Sequence, residues 1–382
     1  MKATNEKQIN VDRIVNSGEL IITTMSGPDT YFDYQGTKLG VQYALVENFT
    51  NSLGIGIRVE LASDTTEMVR KLQSGEVDLI AFQLPTEFCT QQGLLCAGAD
   101  NATAHTSWAI RNNEEDFAKE LDFWYSQDIE VVVKKVQSKR LHARHQVKHK
   151  VNAPFISREK GIISIYDSHF KKAAQQLSWD WKLLAAQCYQ ESGFDPNAVS
   201  YMGAQGLMQI MPSTADHLQL SSHRIFIPSD NIAAATRYLR ELQEKFKHIR
   251  SKEEQIKFIL AAYNGGPGHV LDAQALARKY GKNPQLWSDV SSFILKLSEP
   301  RYYRDPIVKH GYMIGSETFG YVTDILKRWK MYGGKISQTD TQFYSAPVNG
   351  KSATHNEKSI RRKPNKYSKE QKIYSLDELN KP

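Results

Sequence analysis

A chain of 382 residues is long enough for two domains that each bury a core, and its 40% hydrophobic and 24% charged content is that of a soluble globular protein. No apolar run nears the ~20 residues of a membrane helix. Residues 1–8 are polar, so neither a secretory signal nor a lipid-attachment cysteine is expected in this numbering. The formal net charge of +7 favours acidic partners, nucleic acid or an anionic surface. No helix-turn-helix, zinc or aromatic-basic sheet motif accompanies that charge, which argues against nucleic acid. Much of it sits in two solvated runs, Lys134 to Lys150 and Lys351 to Lys366.

In chain order, residues 18–25 and 56–61 read as strands, with an apolar helical spacing between them at Val41, Ala44, Leu45, Phe49 and Leu53. Met68, Val69 and Leu72 mark a second helix over 65–73, and residues 77–82 a third strand. This β-α-β-α-β order predicts an α/β lobe with a mostly parallel sheet, closed by a strand at 107–111 and a helix at 114–125. The order resembles one lobe of the amino-acid-binding type of periplasmic solute-binding protein. In that family a whole second lobe separates the third strand from the closing Ser-Trp-Ala strand, here Ser107-Trp108-Ala109. Residues 83–106 are too few for a domain. A one-jawed clamp cannot enclose a small molecule, so residues 10–128 read as a docking or structural lobe.

Cys89 and Cys96 lie in a loop-like part of that interval and could pair in an oxidising compartment. Cys188 lies on an apolar helix face and reads as a buried thiol. The Cys and His spacings of zinc sites are missing, so no metal and no cofactor is expected. Residues 129–158 are basic, without clear periodicity, and read as a linker. From 159 to 334 the pattern is helical: Tyr166, Phe170, Ala173, Ala174 and Leu177 form one stripe, and Trp181, Leu184, Ala185, Cys188 and Tyr189 another. Residues 335–382 are polar and basic and read as a disordered tail. The expected fold class is α+β overall, with the sheet at the front and a mainly α-helical region behind.

The chemistry concentrates at Gln190-Glu191-Ser192-Gly193-Phe194-Asp195-Pro196-Asn197, followed by Gly203-Ala204-Gln205-Gly206-Leu207-Met208-Gln209-Ile210-Met211-Pro212. An acid at the end of an apolar helix, then a tight polar turn, can hold one carboxyl group in a partly dry groove. Asp195 reads as a turn residue capping backbone donors. Ala262-Tyr263-Asn264-Gly265-Gly266 supplies a second polar loop.

Together these elements resemble the catalytic domain of the soluble-lytic-transglycosylase family, lysozyme-like enzymes that cut bacterial peptidoglycan. Gly315-Ser316-Glu317-Thr318-Phe319-Gly320-Tyr321-Val322 resembles a further family element close to the groove. The resemblance implies cleavage of the glycan strand between N-acetylmuramic acid and N-acetylglucosamine, with Glu191 protonating the linking oxygen. The same carboxylate then takes a proton from the muramoyl primary hydroxyl, which closes on the anomeric carbon and leaves a 1,6-anhydro end without consuming water. Such an acid must keep its proton near neutral pH, about two units above its solution value of ~4.3. Burial beside Met208, Ile210, Met211 and Tyr263 would raise it, and Ser192 or Ser200 could fix its rotamer. By the same resemblance Met208 and Gln209 line the sugar groove, Gln209 donating to a sugar or its acetamido group. Tyr263 lies near the acid, and Asn264 contacts the acetamido group. Glu317 is a substrate contact or a structural hydrogen-bond partner. Tyr302 and Tyr303 could stack on sugars or pack a loop.

The order of the two regions resembles membrane-bound lytic murein transglycosylases, which implies a periplasmic location and association with the outer membrane. Two rivals stand beside this reading. A lysozyme-type hydrolase needs a second acid about 5–9 Å from the first, and a non-catalytic wall-binding protein needs no Glu191 at all.

Overall fold

The computed structural model describes residues 9–34, 37–143 and 155–334. The expected tail at 335–382 and residues 144–154 of the expected linker lie outside them.

The front lobe opens with α1 (Ile9–Ser17), β1 (Glu19–Thr24), the short hairpin β2 (Phe32–Tyr34) and β3 (Thr37–Leu39), α2 (Val41–Leu53), β4 (Gly56–Leu61), α3 (Thr65–Gln73) and β5 (Leu79–Pro85). It continues through α4 (Thr86–Gln91), β6 (Leu94–Asn101), β7 (Thr106–Arg111), α5 (Glu115–Trp124) and α6 (Gln127–Ala143). Five strands form one sheet in the order β4-β1-β5-β7-β6.

Strands β4, β1 and β5 run parallel, as the β-α-β-α-β pattern dictates. The other two pairings, β5 with β7 and β7 with β6, are antiparallel. The sheet is therefore mixed rather than mostly parallel. Residues 83–106 are not a loop: they fold into α4 and the edge strand β6, and β6 returns directly into β7. The small residues Ala97, Gly98 and Ala99 hide a strand from a hydrophobic reading, although Ala97 and Ala99 are buried. Cys89 and Cys96 are both free thiols, Cys89 buried and Cys96 half-buried.

The period of two in these strands covers the sheet on both faces. Leu20, Ile22, Leu79, Ala81, Trp108 and Ile110 point to one side, where they pack with Leu45 and Phe49 of α2 and Phe117 and Leu121 of α5. Ile80 and Ala109 point to the other, against Met68, Val69 and Leu72 of α3. The buried Trp108 ring donates from Nε1 to Gln42 Oε1 at 2.5 Å, so the polar handle of the largest core side chain is satisfied.

Residues 127–143 form α6, which corrects the reading of an irregular linker from 129. The Val131–Val132–Val133 run obscures the period, yet Ile129 and Val133 join the core beside α2 and Gln137 is buried one turn further on. A stripe at i, i+4 and i+8 suffices to hold the helix.

The helical region comprises α7 (Asp167–Leu177), α8 (Trp181–Ser192), α9 (Pro212–His217), α10 (Pro228–Lys245), α11 (Lys252–Gly265), α12 (Pro267–Lys279), α13 (Trp287–Lys296), α14 (Pro300–Tyr303) and α15 (Gly315–Met331). One contiguous core joins them. Asp180 caps α8 by accepting from the Lys182 N–H at 3.0 Å and also receives Trp329 Nε1 at 2.8 Å, which ties α8 to α15. Gly193 ends α8 in the left-handed conformation, φ +61°. The chain thus breaks immediately after Glu191 and Ser192.

The lobe packs on this helical region through β2 and the segment before it. The Tyr312 N–H donates to Ser26 Oγ at 2.7 Å, and the Phe32 and Tyr312 rings meet edge to face at 5.0 Å. Tyr302 and Tyr303 are buried, Tyr303 against Tyr312, so they pack this junction and the 300–306 loop rather than meeting sugars.

Candidate active site

Glu191 occupies the last turn of α8 at the floor of a cleft of about 1370 Å³. It is half-buried, its carboxyl shut in by protein on one side and facing the cleft on the other. Burial pushes this carboxyl up to about 8, against a hydrogen bond that pulls it down. The donor of that bond is the Tyr321 hydroxyl on α15, whose O–H donates a hydrogen bond to Glu191 Oε1. Tyr321 OH in turn accepts from Gln187 Nε2 at 3.2 Å, one turn back along α8 from Glu191. Gln187 is wholly buried. A chain of three polar side chains therefore fixes one carboxyl rotamer in an otherwise apolar helix pair.

Tyr321 and Gln187 replace the serines expected in this role. Ser192 is buried and donates to Leu207 O at 2.8 Å, a bond that seats the loop after α8 on the helix end. Ser200 accepts from the Ala204 N–H at 2.9 Å and closes its own turn, though it lines the cleft. Asp195 accepts from the Asn197 N–H at 3.1 Å, the turn-capping role its Asp-Pro-Asn setting predicts.

The 205–211 loop is held by Asn231 of α10. Its Oδ1 accepts from the Met208 N–H at 2.8 Å, and its Nδ2 donates to Gln205 O and Ile225 O at 3.1 and 2.8 Å. Gly206 stands in this loop with φ +77°, and a Cβ there would lie 2.3 Å from Asn231 Nδ2. Only glycine satisfies both constraints. Asn231→Ala is expected to cost about 3 kcal/mol, since it strands the buried Met208 N–H and Ile225 O, whereas Gln205 O keeps the Ile210 N–H at 3.0 Å. Denaturant unfolding of the variant at constant m-value measures that loss.

Met208 is not a groove residue. Its side chain is buried, and its backbone N–H and C=O serve Asn231 and Tyr263, the Tyr263 hydroxyl donating to Met208 O at 2.7 Å. Gln209 does line the cleft, in a left-handed conformation at φ +47°. Its amide donates to Ala198 O and Gly206 O at 3.1 and 2.9 Å. Both N–H protons are thereby spent on the loop, so Gln209 can accept from a sugar but not donate to one. Ile210 and Met211 line the cleft.

Tyr263 and Asn264 lie in the last turn of α11 and both line the cleft. Tyr263 is close enough to Glu191 for that charge to raise its own hydroxyl, beyond the larger effect of burial. Asn264 Oδ1 accepts from Thr318 Oγ1 at 2.8 Å, which leaves the amide N–H groups for another partner. Glu317 stands in the first turn of α15 and lines the same cleft. Burial pushes its carboxyl up to about 7, and Tyr34 of the lobe donates to its Oε2.

Tyr31, Asp33, Tyr34 and Leu61 of the lobe line the cleft alongside the helical residues. The lobe is thus one wall of the cleft that holds Glu191. Tyr321, Gln187 and this wall were not expected from the sequence. Tyr321 was visible as the residue one turn after Glu317, but only its contact with α8 gives it meaning.

Residues 168–286, the stretch that carries Glu191, Gln209, Tyr263 and Asn264, match the Transglycosylase SLT domain family. The resemblance read from the Gln190 to Met211 and Ala262 to Gly266 segments is met by that match. Two similar relatives are each named membrane-bound lytic murein transglycosylase F. That of Aeromonas hydrophila subsp. hydrophila is 31% identical over 268 residues, 69% of this chain and 53% of that protein. That of Serratia proteamaculans is 25% identical, covering 82% of this chain and 84% of that protein. The chain spans about half the length of the first of these relatives. Among solved structures, the 70 kDa soluble lytic transglycosylase of Escherichia coli is 25% identical with a TM-score of 0.32, covering 56% of this chain and 30% of that one. The arginine-bound form of domain 1 from TmArgBP is 16% identical with a TM-score of 0.26, covering 33% of this chain and 99% of that one.

Proposed function

We propose that this chain is a peptidoglycan lytic transglycosylase in which Glu191 alone serves as general acid and then general base. The observation that carries the reading is the Glu191 carboxyl group, pushed up to about 8 by burial and hydrogen-bonded by Tyr321, in the lining of a cleft of about 1370 Å³. Glu191 gives its proton to the glycosidic oxygen as oxocarbenium-like charge develops on the muramoyl ring. The carboxylate so formed takes the proton of that sugar's primary hydroxyl, whose oxygen closes on the anomeric carbon. The proton count balances without water, and the product is a 1,6-anhydro-muramoyl end.

The SLT-domain match and the relatives' names support this substrate class. Burial is the main cause of the shift of Glu191. Asn264, with its amide N–H groups available, is the proposed acetamido contact, Gln209 an acceptor for a sugar hydroxyl, and Tyr263 the wall beside the acid. Glu317, bonded to Tyr34, is proposed as a support of the lobe wall. Residues 10–128 form the proposed wall-building lobe and 159–334 the catalytic domain. The names of the relatives support a place in the cell envelope, although no helix of the described residues is long and apolar enough to cross a membrane.

Mass spectrometry of purified murein digested by the protein tests the reaction. Anhydro ends, lighter by one water than reducing ends, are expected as the sole new termini. Reducing ends would establish a hydrolase instead.

A further inference from the structure

Two of the three cysteines meet in the lobe, away from the cleft. Cys89 lies near the end of α4 and Cys96 in β6. The turn between them is short and ordered by its own hydrogen bonds. The Gln92 N–H donates to Phe88 O at 3.0 Å and the Gly93 N–H to Thr90 O at 3.1 Å, which closes the last turn of α4. Gly93 then takes the left-handed conformation, φ +66°, and the chain reverses into β6. Helix α4 therefore packs back on the strand that follows it. In β6, Cys96 stands opposite Ala109 of β7, and opposed residues share one face of a sheet. That face carries the small core of Met68, Leu72, Ile80, Leu84 and Ala109. Cys89 is buried in the same core, and Cys96 packs against it while staying half-buried.

The two side chains interact directly. Burial pushes the Cys89 thiol up to about 12, and the charge and hydrogen bond of Cys96 push it the same way. Thiols within hydrogen-bond reach are close to bonding distance, and small rotations of the side chains close the gap. Cys188 offers no third partner. It is buried in the helical core, where its thiol donates to Leu207 O at 3.4 Å.

We propose that Cys89 and Cys96 form a dithiol that an external disulfide oxidant closes into a bridge between α4 and β6. Cys96, the member that solvent reaches, attacks first as its thiolate. Its sulfur bonds to one sulfur of the oxidant R–S–S–R, and the other leaves as R–S⁻. Cys96 is then a neutral mixed disulfide, so its charge no longer opposes ionisation of Cys89. Cys89 gives up its proton and attacks the Cys96 sulfur, and the second R–S⁻ leaves. The pair loses two electrons and two protons, and the oxidant is reduced to two thiols. The bridge pins β6, which has a strand neighbour on one side only, to the helix before it.

Reduced protein incubated with glutathione disulfide, then alkylated in denaturant, tests the pair. Of three alkylatable thiols the wild type should keep one, Cys188. Trypsin cuts after Lys71 and next after Arg111, so both cysteines fall in one peptide, 72–111. That peptide is expected unalkylated and lighter by two hydrogens than its reduced form. Cys89→Ala should stop after the first step, with one glutathione held on Cys96. The oxidised wild type should melt about 5 °C above the reduced protein, a gain that Cys89→Ala lacks. Three alkylatable thiols after oxidation would overturn the proposal. So would wild type that keeps glutathione on Cys96 with Cys89 still free. A melting temperature that falls on bridging would overturn it as well, because the sulfurs would then have to leave their native places to bond.

Discussion

Replacing Glu191 by glutamine is expected to lower the release of anhydro-muramoyl products by at least about a thousandfold while making the protein more stable. The loss follows from removing the only group proposed to give and retake the proton, and general acid–base catalysis alone accounts for about 10²–10⁴-fold. The gain in stability follows from linkage. The Glu191 carboxyl is raised from 4.5 to about 8 in the folded chain. Between those values the unfolded chain has released the proton and the folded chain still holds it, so folding becomes less favourable as pH rises. Glutamine removes this penalty. The stabilisation should be small at pH 4.5, grow through neutrality and level off near pH 8. The full difference between 4.5 and about 8 corresponds to about 5 kcal/mol, and solvent screening of a carboxyl that faces the cleft is expected to leave on the order of 2 kcal/mol. Thermal unfolding of both proteins across that range checks it. A variant that is less stable at every pH would mean that Glu191 is held as a carboxylate.

Tyr321→Phe carries the second large effect. The Tyr321 hydroxyl donates to Glu191 and opposes the upward push of burial. Without it the carboxyl should hold its proton more tightly, so the alkaline limb of kcat/KM, expected near pH 8 in the wild type, moves to higher pH. At the same time the carboxyl loses the bond that fixes its rotamer, and the Gln187 amide loses its partner. A fall of about 10- to 100-fold in kcat is expected, since misplacement by an ångström or so is costly for proton transfer. A drop in rate with an alkaline limb at unchanged pH would show that Tyr321 packs the helices without setting the acid. The pH profile is the readout that separates the two roles.

Much of this site was legible because its parts are local. Glu191, the left-handed turn at Gly193 and the Tyr263-Asn264 pair fall within short segments whose order carries the resemblance. The lobe's parallel strands were legible for a similar reason, since Leu79, Ile80 and Ala81 alternate between two covered faces. What escaped depends on contacts between distant residues. Tyr321 reaches Glu191 across 130 positions, and Tyr34 reaches Glu317 across 283. No pattern within either segment announces such a pairing. Met208 was misread because Leu207 and Met208 both turn inward around the Asn231 anchor, which a linear motif does not reveal. Gln209 lies where expected but with its donors engaged, a fact that only the loop's own hydrogen bonds disclose. Strand β6 escaped through its small residues, and helix α6 through an apolar run that blurs a real period.

The protonation of Glu191 in the free protein tests the central claim most directly. Infrared difference spectroscopy against Glu191→Gln isolates the carbonyl stretch of this one carboxyl group. A protonated-acid band present at pH 7 and lost with a midpoint near pH 8 is the predicted result. A carboxylate band already complete at pH 6 would contradict the account, because a group ionised there has no proton to give.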